Sequence, residues 1–391
     1  MIAMRSLEVF SGAGGLAKGL EQAGFEHSAF VEFNKHACAS LSENFTPERV
    51  FFGDIRDFDL GSVGSVDVVA GGPPCQPFSL GGKHKADQDD RDMFPYAIRA
   101  IEFLTPKAFV FENVKGLLRP SFAEYFEYII LRLTYPGFSA KPKMAWQDHL
   151  AQLRAANKFA YAGVKYDVQY KLINAADYGV PQTRERVVIV GIRSDLKKTW
   201  SFPAATHSED RLLWEMHVSG EYWRRHRVAL AKRPSIEPSM QERIARINER
   251  YGLFEPELLP WKTVRDALHD VPDPRSKHGI ADHIFKDGAR SYAGHTGSDY
   301  DWPSKTIKAG GHGVPGGENM IRYADESIRY FTVFEAKRIQ TFPDDFIIKG
   351  AWGEAMRQIG NAVPVALGEV FGTHLWSLLS KKYSAAKASA K

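Results

Sequence analysis

The chain has very little cysteine, with Cys38 and Cys75 as its two thiols among 391 residues. Two cysteines cannot build the disulfide framework of a small secreted domain, so a reducing compartment is expected. No apolar run approaches membrane-spanning length, and residues 1–6 lack the apolar core of a signal peptide. These absences predict a soluble, cytoplasmic protein that has no membrane partner.

An excess of charge of one sign is also missing. Lysine and arginine number 51 against 47 aspartates and glutamates, which gives a net charge of +4. This mildly basic balance permits a polyanionic partner without requiring one. Scattered residues such as Asp177 and His312 show no metal-ligand spacing, so no metal is predicted.

Short apolar strands alternate with amphipathic helices through the first half of the chain. We predict strands at 7–10, 29–31, 50–52, 66–70 and 108–111, with further strands at 167–173 and 186–192. Strands that are apolar on both faces favour a parallel sheet covered by helices. The predicted fold class is therefore α/β, with a mostly parallel, doubly wound sheet.

A chemically distinctive residue follows each strand of the first half: Gly12, Glu32, Asp54, Cys75 and Glu112. The carboxyl ends of parallel strands meet at one edge, which is where open α/β sheets bind ligands. One shared site is therefore expected.

Residues 11–17 contain the pattern G-x-G-x-x-A, and Glu32 lies twenty residues after Gly12. This is the spacing of a nucleotide-binding turn with an acidic residue for ribose hydroxyls. It suits NAD and S-adenosylmethionine alike, and a plain strand–helix turn has the same pattern. Asp54 is a candidate acceptor for an adenine amino group, and Phe10 and Phe33 are candidates to stack on the base.

Cys75 follows two glycines and two prolines, which fix the turn that carries it. A rigid mount suits a nucleophile, whereas a lone buried cysteine is more often structural. Glu112 lies between Phe111 and Val114, where partial desolvation favours a held proton. A solvated carboxylate at the end of a strand is the alternative.

Six ordered motifs resemble those of DNA (cytosine-5)-methyltransferases of the bacterial restriction–modification type. They are residues 10–15 (FSGAGG), 73–76 (PPCQ), 112–114 (ENV), 182–186 (QTRER), 335–344 (EAKRIQTFPD) and 358–364 (QIGNAVP). The resemblance implies a class I S-adenosylmethionine-dependent methyltransferase fold, with S-adenosyl-L-methionine as cofactor and double-stranded DNA as partner. Phe334 stands where the family often has arginine, and Ala362 where some relatives have serine.

The resemblance also implies roles for individual residues. Cys75 would add to C6 of a flipped-out cytosine, with Pro74 facing the base. Glu112 would act at N3, and Arg186, with Arg184 nearby, would hold O2. The implied cofactor site consists of Phe10, Gly12, Gly14, Gly15, Glu32, Phe33, Asp54, Ile55, Asn361 and Ala362.

The region after Asp195 loses the strand–helix alternation, and the resemblance makes it a target-recognition domain. We assign 1–195 to the catalytic domain, 196–345 to target recognition and 346–391 to a return segment with a disordered tail from about 381. Residues 302–313 are predicted as a flexible loop. The candidate DNA contacts are Gln76, Ser79, Arg224, Arg225, Arg227, Lys305, Thr306 and Lys308.

Three alternatives stay open at this point. An NAD-dependent dehydrogenase explains Glu32 but leaves Cys75 without a role. A tRNA methyltransferase on the same fold would carry a Cys-Phe-Thr signature, which this sequence lacks. A non-catalytic DNA-binding regulator would not need Glu112 or Arg186. We expect a monomer, and the sequence leaves open a cognate restriction endonuclease that acts on the same site without a stable complex.

Overall fold

A computed structural model describes residues 3–74, 92–156, 161–236, 238–252, 254–309 and 319–380. Cys75, Gln76, Ser79 and the tail from 381 lie outside these ranges. The central sheet has seven strands: β1 (Arg5–Val9), β2 (Glu26–Glu32), β3 (Val50–Phe52), β4 (Val68–Gly71), β5 (Ala108–Val114), β6 (Tyr166–Asn174) and β7 (Glu185–Arg193).

The strand order across the sheet is β3-β2-β1-β4-β5-β7-β6. The first five strands in this order are parallel, whereas β7 runs antiparallel to both β5 and β6. The reversal brings the start of β7 to the edge where β1 to β5 end, with Val114 opposite Arg186. The prediction of an α/β fold with a mostly parallel sheet is confirmed.

Helices cover both faces of this sheet because its strands are buried on both sides. The helices of this part are α1 (Gly15–Gln22), α2 (Lys35–Asn44), α3 (Phe94–Leu104), α4 (Ala123–Thr134) and α5 (Trp146–Ala156). One apolar cluster joins Val69 and Phe109 to α3 and α4. The cluster on the opposite face joins Val68 and Val110 to α1 and to the end of the chain.

The region from Asp195 to Tyr330 is built from short elements. It contains α6 (Glu209–His217), α7 (Glu221–Arg225), α8 (Pro238–Tyr251), α9 (Val264–Leu268), β8 (His207–Ser208), β9 (Leu259–Pro260), β10 (Ser298–Asp299), β11 (Met320–Arg322) and β12 (Ile328–Tyr330). Strands β10, β11 and β12 form a small sheet of their own.

The chain then returns to the large sheet through α10 (Val333–Ile339), α11 (Trp352–Asn361) and α12 (Val365–Ser380). A Cβ on Gly19 of α1 would lie 2.5 Å from the Val365 carbonyl oxygen, so α1 and α12 pack backbone to backbone. Trp352–Ser380 is long and apolar enough to pass as a membrane span, contrary to the expectation that no apolar run approaches that length, but a buried core helix passes the same test. The apolar side chains of α12 pack on the sheet and on α1, and those of α11 pack in a cluster with α9 and α10.

Candidate active site

The glycine-rich turn after β1 is shaped by contacts that only glycine allows. Gly12 and Gly14 have left-handed φ values of 54° and 86°. A Cβ on Gly15 would lie 2.2 Å from the Val363 carbonyl oxygen, so the turn is closed against the 358–364 motif. A Cβ added to Gly12 would meet no heavy atom within 4 Å, so there is open space beside Gly12 at the sheet edge.

The Glu32 carboxylate is held by backbone donors at the end of β2. Gly12 N–H donates to Oε2 and Asn34 N–H donates to Oε1, both at 2.8 Å. The Sγ–H of Cys38 donates to the Glu32 carbonyl oxygen, and burial raises the pKa of this thiol to about 12. Cys38 is therefore a structural thiol, as predicted, and Glu32 is fixed beside the open space over Gly12.

Aromatic side chains stand at the ends of neighbouring strands of this edge. The Phe33 ring is 70% exposed directly after β2, and Phe10 is half-buried with φ 54°. Phe52, at the end of the neighbouring strand, is 63% exposed and was missed by sequence analysis, although its place after an apolar pair was a usable signal. Two exposed rings at adjacent strand ends can hold a planar group.

The Asp54 carboxylate already has a partner. The Arg56 guanidinium donates to Oδ1 at 2.9 Å and to Oδ2 at 2.7 Å, and this contact lowers the pKa of Asp54. Ile55 is buried in the core behind Asp54. Asp54 therefore lies at the predicted edge, with both oxygens engaged by a neighbouring exposed side chain.

The turn that leads to Cys75 is locked between β1 and β5. A Cβ on Gly71 would lie 1.9 Å from the Val9 carbonyl oxygen, so only glycine fits there. The Asn113 side chain donates to the Pro73 carbonyl at 2.9 Å, and Met93 N–H donates to the Pro74 carbonyl at 3.1 Å. Asn113 was not singled out from the sequence, where its place after Glu112 was the only signal. These bonds fix residues 71–74, which directly precede Cys75 and are called its mount below.

Glu112 and Arg186 form an ion pair at the same edge. Arg186 Nε lies 2.7 Å from Glu112 Oε1, and the two side chains are 14% and 12% exposed. The contact lacks the direction of a hydrogen bond, since Oε1 has no hydrogen-bond partner among the described residues. The Glu112 carboxyl is thus largely removed from solvent, and it lies against a cation that the sequence around it did not predict.

The pair lies directly beside the mount of Cys75. A Cβ on Gly72 would lie 3.7 Å from Glu112 Oε2. The Glu112 carboxyl, the Arg186 guanidinium and the residues that lead to Cys75 are thus brought together from three separate parts of the chain.

Arg184 lies behind this pair. It is 1% exposed, and its Nη2 donates to the Gly360 carbonyl at 2.9 Å. Burial, aided by the Arg186 charge, lowers the pKa of Arg184. Its Nε and Nη1 are buried without a hydrogen-bond partner among the described residues, so the role of Arg184 at the base stays a prediction. Asn361, the residue after Gly360, is exposed, whereas Ala362 is buried.

Three arginines in and just after α7 are exposed, and one of them, Arg225, pairs with a buried carboxylate. Arg225 donates to Glu215 at 2.9 Å, and Glu215 is nearly fully buried. Arg224 donates to the Ser219 carbonyl but is exposed, and Arg227 is exposed with φ 53°. Arg225 is thus a brace within its own region, which its sequence context did not reveal.

Residues 302–309 are anchored to the catalytic part, so the prediction of a flexible loop is wrong for this described stretch. Thr183 N–H donates to the Ser304 carbonyl at 2.8 Å, and the Thr306 hydroxyl donates to the Thr183 carbonyl at 2.8 Å. Thr306 is therefore half-buried in a junction with the residues before β7, and its predicted DNA contact stays a prediction. The Lys305 and Lys308 side chains are exposed, and Lys305 Nζ donates to Thr296.

No cluster of three metal-ligating side chains occurs within the described ranges.

Comparisons with known proteins agree with this geometry. The model of the C-5 cytosine-specific DNA methylase family matches residues 4–155 and 146–376. The type II methyltransferase M.NgoMIV of Neisseria gonorrhoeae is 31% identical over 383 residues, covering 96% of this chain and 98% of that protein. M.Eco47II of Escherichia coli is 30% identical over 378 residues, covering 96% and 79%.

Solved structures share the fold at lower identity. A putative DNA modification methyltransferase encoded within an E. coli prophage has a TM-score of 0.59 and 19% identity, covering 97% of this chain and all of that chain. The Dnmt2 methyltransferase of S. pombe has a TM-score of 0.57 and 16% identity, with the same coverage. With the family motifs in order and the strand-edge site assembled, the chain belongs to the C-5 cytosine-specific DNA methylases.

Proposed function

We propose that this protein transfers a methyl group from S-adenosyl-L-methionine to C5 of a flipped-out cytosine in duplex DNA, through a covalent adduct with Cys75. The observation that carries the proposal is the Glu112–Arg186 pair beside the mount of Cys75. Family membership gives cytosine C5 as the methylated position and DNA, rather than tRNA, as the substrate.

The residues at the strand edge fit the cofactor, which supplies an electrophilic methyl group when bound. Gly12 leaves room for close approach, and the Glu32 carboxylate, already oriented by two N–H groups, has lone pairs left for ribose hydroxyls. Phe33 and Phe10 would hold the adenine, while Asn361 would close the wall. Asp54 would exchange its exposed contact with Arg56 for the adenine amino group, which costs little because exposed ion pairs are weak.

Cytosine is a poor nucleophile at C5, so the ring must first be activated. The Cys75 thiolate adds to C6, and the electron pair of the C5–C6 double bond becomes available at C5. The C5–methyl bond forms as the bond between the methyl carbon and its sulfonium sulfur breaks, and a water molecule takes the C5 proton. The C5–H electron pair then restores the C5–C6 double bond as the C6–sulfur bond breaks and releases the Cys75 thiolate. The target atom is unreachable in a stacked duplex, so the base must leave the helix.

Glu112 and Arg186 act on the other side of the ring. Glu112 Oε1 lacks a well-directed hydrogen bond, so the carboxyl is available to share a proton with N3. Arg186 remains positively charged and would stabilise the charge that develops at O2. Pro74 would pack on the base. Arg184, buried against Gly360, would keep this wall in place from behind.

We propose residues 196–345 as the target-recognition domain, between the catalytic domain at 1–195 and the return segment from 346. Exposed Arg224, Arg227, Lys305 and Lys308 are the basic side chains offered to DNA phosphates. Gln76 and Ser79, next to Cys75, would contact the duplex near the flipped base. The relatives named as type II methyltransferases suggest a bacterial, cytoplasmic role in protecting DNA from a restriction endonuclease, by a monomer that forms no stable complex with it.

Bisulfite sequencing of DNA from cells that express the protein tests activity and target together. Protected cytosines at one recurring sequence are expected with the wild type, and none with Cys75→Ala. Exchange of residues 200–330 for the block of another family member should move the protection to a different sequence. No protected site in well-expressing wild-type cells would contradict the activity, and an unmoved site would contradict the domain assignment.

A further inference from the structure

A tight turn at residues 292–295 has no role in the reaction proposed above. His295 N–H donates to the Tyr292 carbonyl at 2.8 Å, and Tyr292 N–H donates to the His295 carbonyl at 3.3 Å. Gly294 has φ 81°, the left-handed value that a type II turn requires at its third residue. The backbone is therefore closed on itself, and exposed Ala293 and Gly294 form a narrow tip.

The side chains around this tip are polar and lie at the surface. Tyr292 is 50% exposed, and its ring centroid lies 4.4 Å from that of His295. Arg290, two residues before Tyr292, is exposed and has no partner among the described residues. A phenol hydroxyl and a guanidinium are groups that form directed hydrogen bonds with a ligand, and neither is used to hold the turn.

The turn is tied to the stretch that follows it. The Lys305 ammonium donates to the Thr296 hydroxyl at 2.9 Å, directly after the turn. The Lys305 backbone N–H donates to the Ser298 hydroxyl at 3.0 Å, and Ser298 is fully buried. Both bonds hold the base of the turn against residues 304 and 305, so the tip does not move independently of them.

That stretch is in turn bonded to the chain that leads to Arg186. Ser304 pairs with Gln182 in a β-bridge, and Thr183 N–H donates to the Ser304 carbonyl at 2.8 Å. Thr183 precedes Arg186 by three residues, which is at most about 11 Å along the backbone. Six base pairs of duplex DNA span about 20 Å. A support this close to Arg186 can therefore carry side chains that contact the bases next to the one at Glu112.

We propose that the turn enters the major groove beside the flipped cytosine and determines which base pairs flank it. The major groove is about 12 Å wide and admits a two-stranded β-ribbon, and this tip carries no side chain larger than that of Ala293. Arg290 donates two hydrogen bonds to O6 and N7 of a guanine. The Tyr292 hydroxyl bonds to a neighbouring base edge, and His295 holds the Tyr292 ring in place. The proposal rests on the DNA substrate proposed above and names the residues that read it.

Arg290→Ala tests the base contact. Once bisulfite sequencing has given the target, kcat/KM is measured on the target duplex and on duplexes with one base pair exchanged. At one position the preference for the target pair should fall at least tenfold, because a bidentate contact to guanine supplies discrimination of about that size. Arg275→Ala is the matched control, since the exposed Arg275 is engaged by Asp273, and its preferences should equal those of the wild type.

Tyr292→Phe removes one hydroxyl and should lower the preference at a second position roughly threefold. A variant that is partly unfolded loses activity on every duplex by the same factor, so the ratio of kcat/KM values reports base reading and not stability. Unchanged ratios in both Arg290→Ala and Tyr292→Phe would overturn the proposal.

Photo-crosslinking locates the turn without relying on methylation. Tyr292→p-benzoylphenylalanine keeps an aromatic ring, and the same change at Tyr170 of β6, which is 49% exposed, is the matched control. Illumination with fragmented bacterial genomic DNA should give a covalent DNA adduct from position 292 and none from position 170. No adduct from position 292 would overturn the proposal. An adduct from position 292 in a protein that methylates no DNA would support the turn and count against the proposed reaction.

Discussion

The strand edge and the region after Asp195 use charged side chains in different ways. At the edge, Glu32 is held by the backbone N–H groups of Gly12 and Asn34, and Glu112 pairs with Arg186 of β7. In the later region, charged side chains pair with one another, as Arg265 pairs with Asp301. The positions of Glu32 and Glu112 after their strands could be predicted from local spacing, whereas the partner of a later arginine such as Arg265 could not.

The largest expected effect is a loss of activity on substitution of Glu112 at the strand edge. Glu112→Gln removes the proton-sharing carboxyl next to Arg186 and should lower kcat by about 10²–10³-fold, measured as tritiated methyl transfer to DNA. Glu185→Gln is the matched control, because Glu185 pairs with Lys115 in an exposed ion pair. Similar losses of kcat in both variants would mean that any carboxylate near β7 affects the reaction, and they would contradict a specific role for Glu112.

Gly15→Ala tests whether the glycine-rich turn stabilises the fold through close packing as well as binding the cofactor. The added Cβ would meet the Val363 carbonyl at 2.2 Å, so the free energy of unfolding should fall by about 1–3 kcal/mol, with weaker cofactor binding. Gly353 lies in α11, and a Cβ added there would meet no heavy atom within 4 Å. The free energy of unfolding of Gly353→Ala should therefore rise by about 0.5–1 kcal/mol. Urea denaturation measures both, and an unaltered Gly15→Ala variant would contradict the close contact.

Two arginines of one stretch sharpen the comparison within the recognition region. Arg225→Ala strips the buried Glu215 of one partner and should lower stability by about 1–2 kcal/mol. Arg227→Ala should leave stability unchanged and reduce the salt dependence of DNA binding by about one phosphate contact. Chemical denaturation measures the stability of both variants, and DNA binding at several salt concentrations measures their phosphate contacts. A loss of stability in Arg227→Ala, with a change in salt dependence only in Arg225→Ala, would contradict these two roles.

The smallest effect expected is a pH dependence at the junction of the two regions. Burial, with Lys262 nearby, lowers the pKa of His207 from 6.5 to about 4. The unfolded chain then binds more protons than the folded one in this window, so stability falls as pH drops from 6.5 toward 4. His207→Gln should flatten that decline in thermal melts, whereas a change at the exposed His269 should not. A decline that persists unchanged in His207→Gln would refute the assignment.

The sheet and the edge could be predicted because short-range patterns determine them. The apolar strands, the residue after each strand and the motif order placed Glu32 and Glu112 at one edge without knowledge of long-range contacts. The antiparallel direction of β7, which brings Arg186 to Glu112, was not predicted, and only the resemblance placed Arg186 in the site. The contacts of Arg184 with Gly360 and of Thr306 with Thr183 could not be predicted, because these partners lie more than a hundred residues away in the sequence.

The most direct test of the account is mechanism-based trapping on duplex DNA in which 5-fluorocytosine replaces every cytosine, so that the target sequence need not be known. Fluorine at C5 cannot leave as a proton does, and the C6–sulfur bond should therefore persist. With S-adenosyl-L-methionine present, the wild type should form a denaturant-resistant DNA complex, and Cys75→Ala should form none. A covalent complex that survives Cys75→Ala would contradict the central claim.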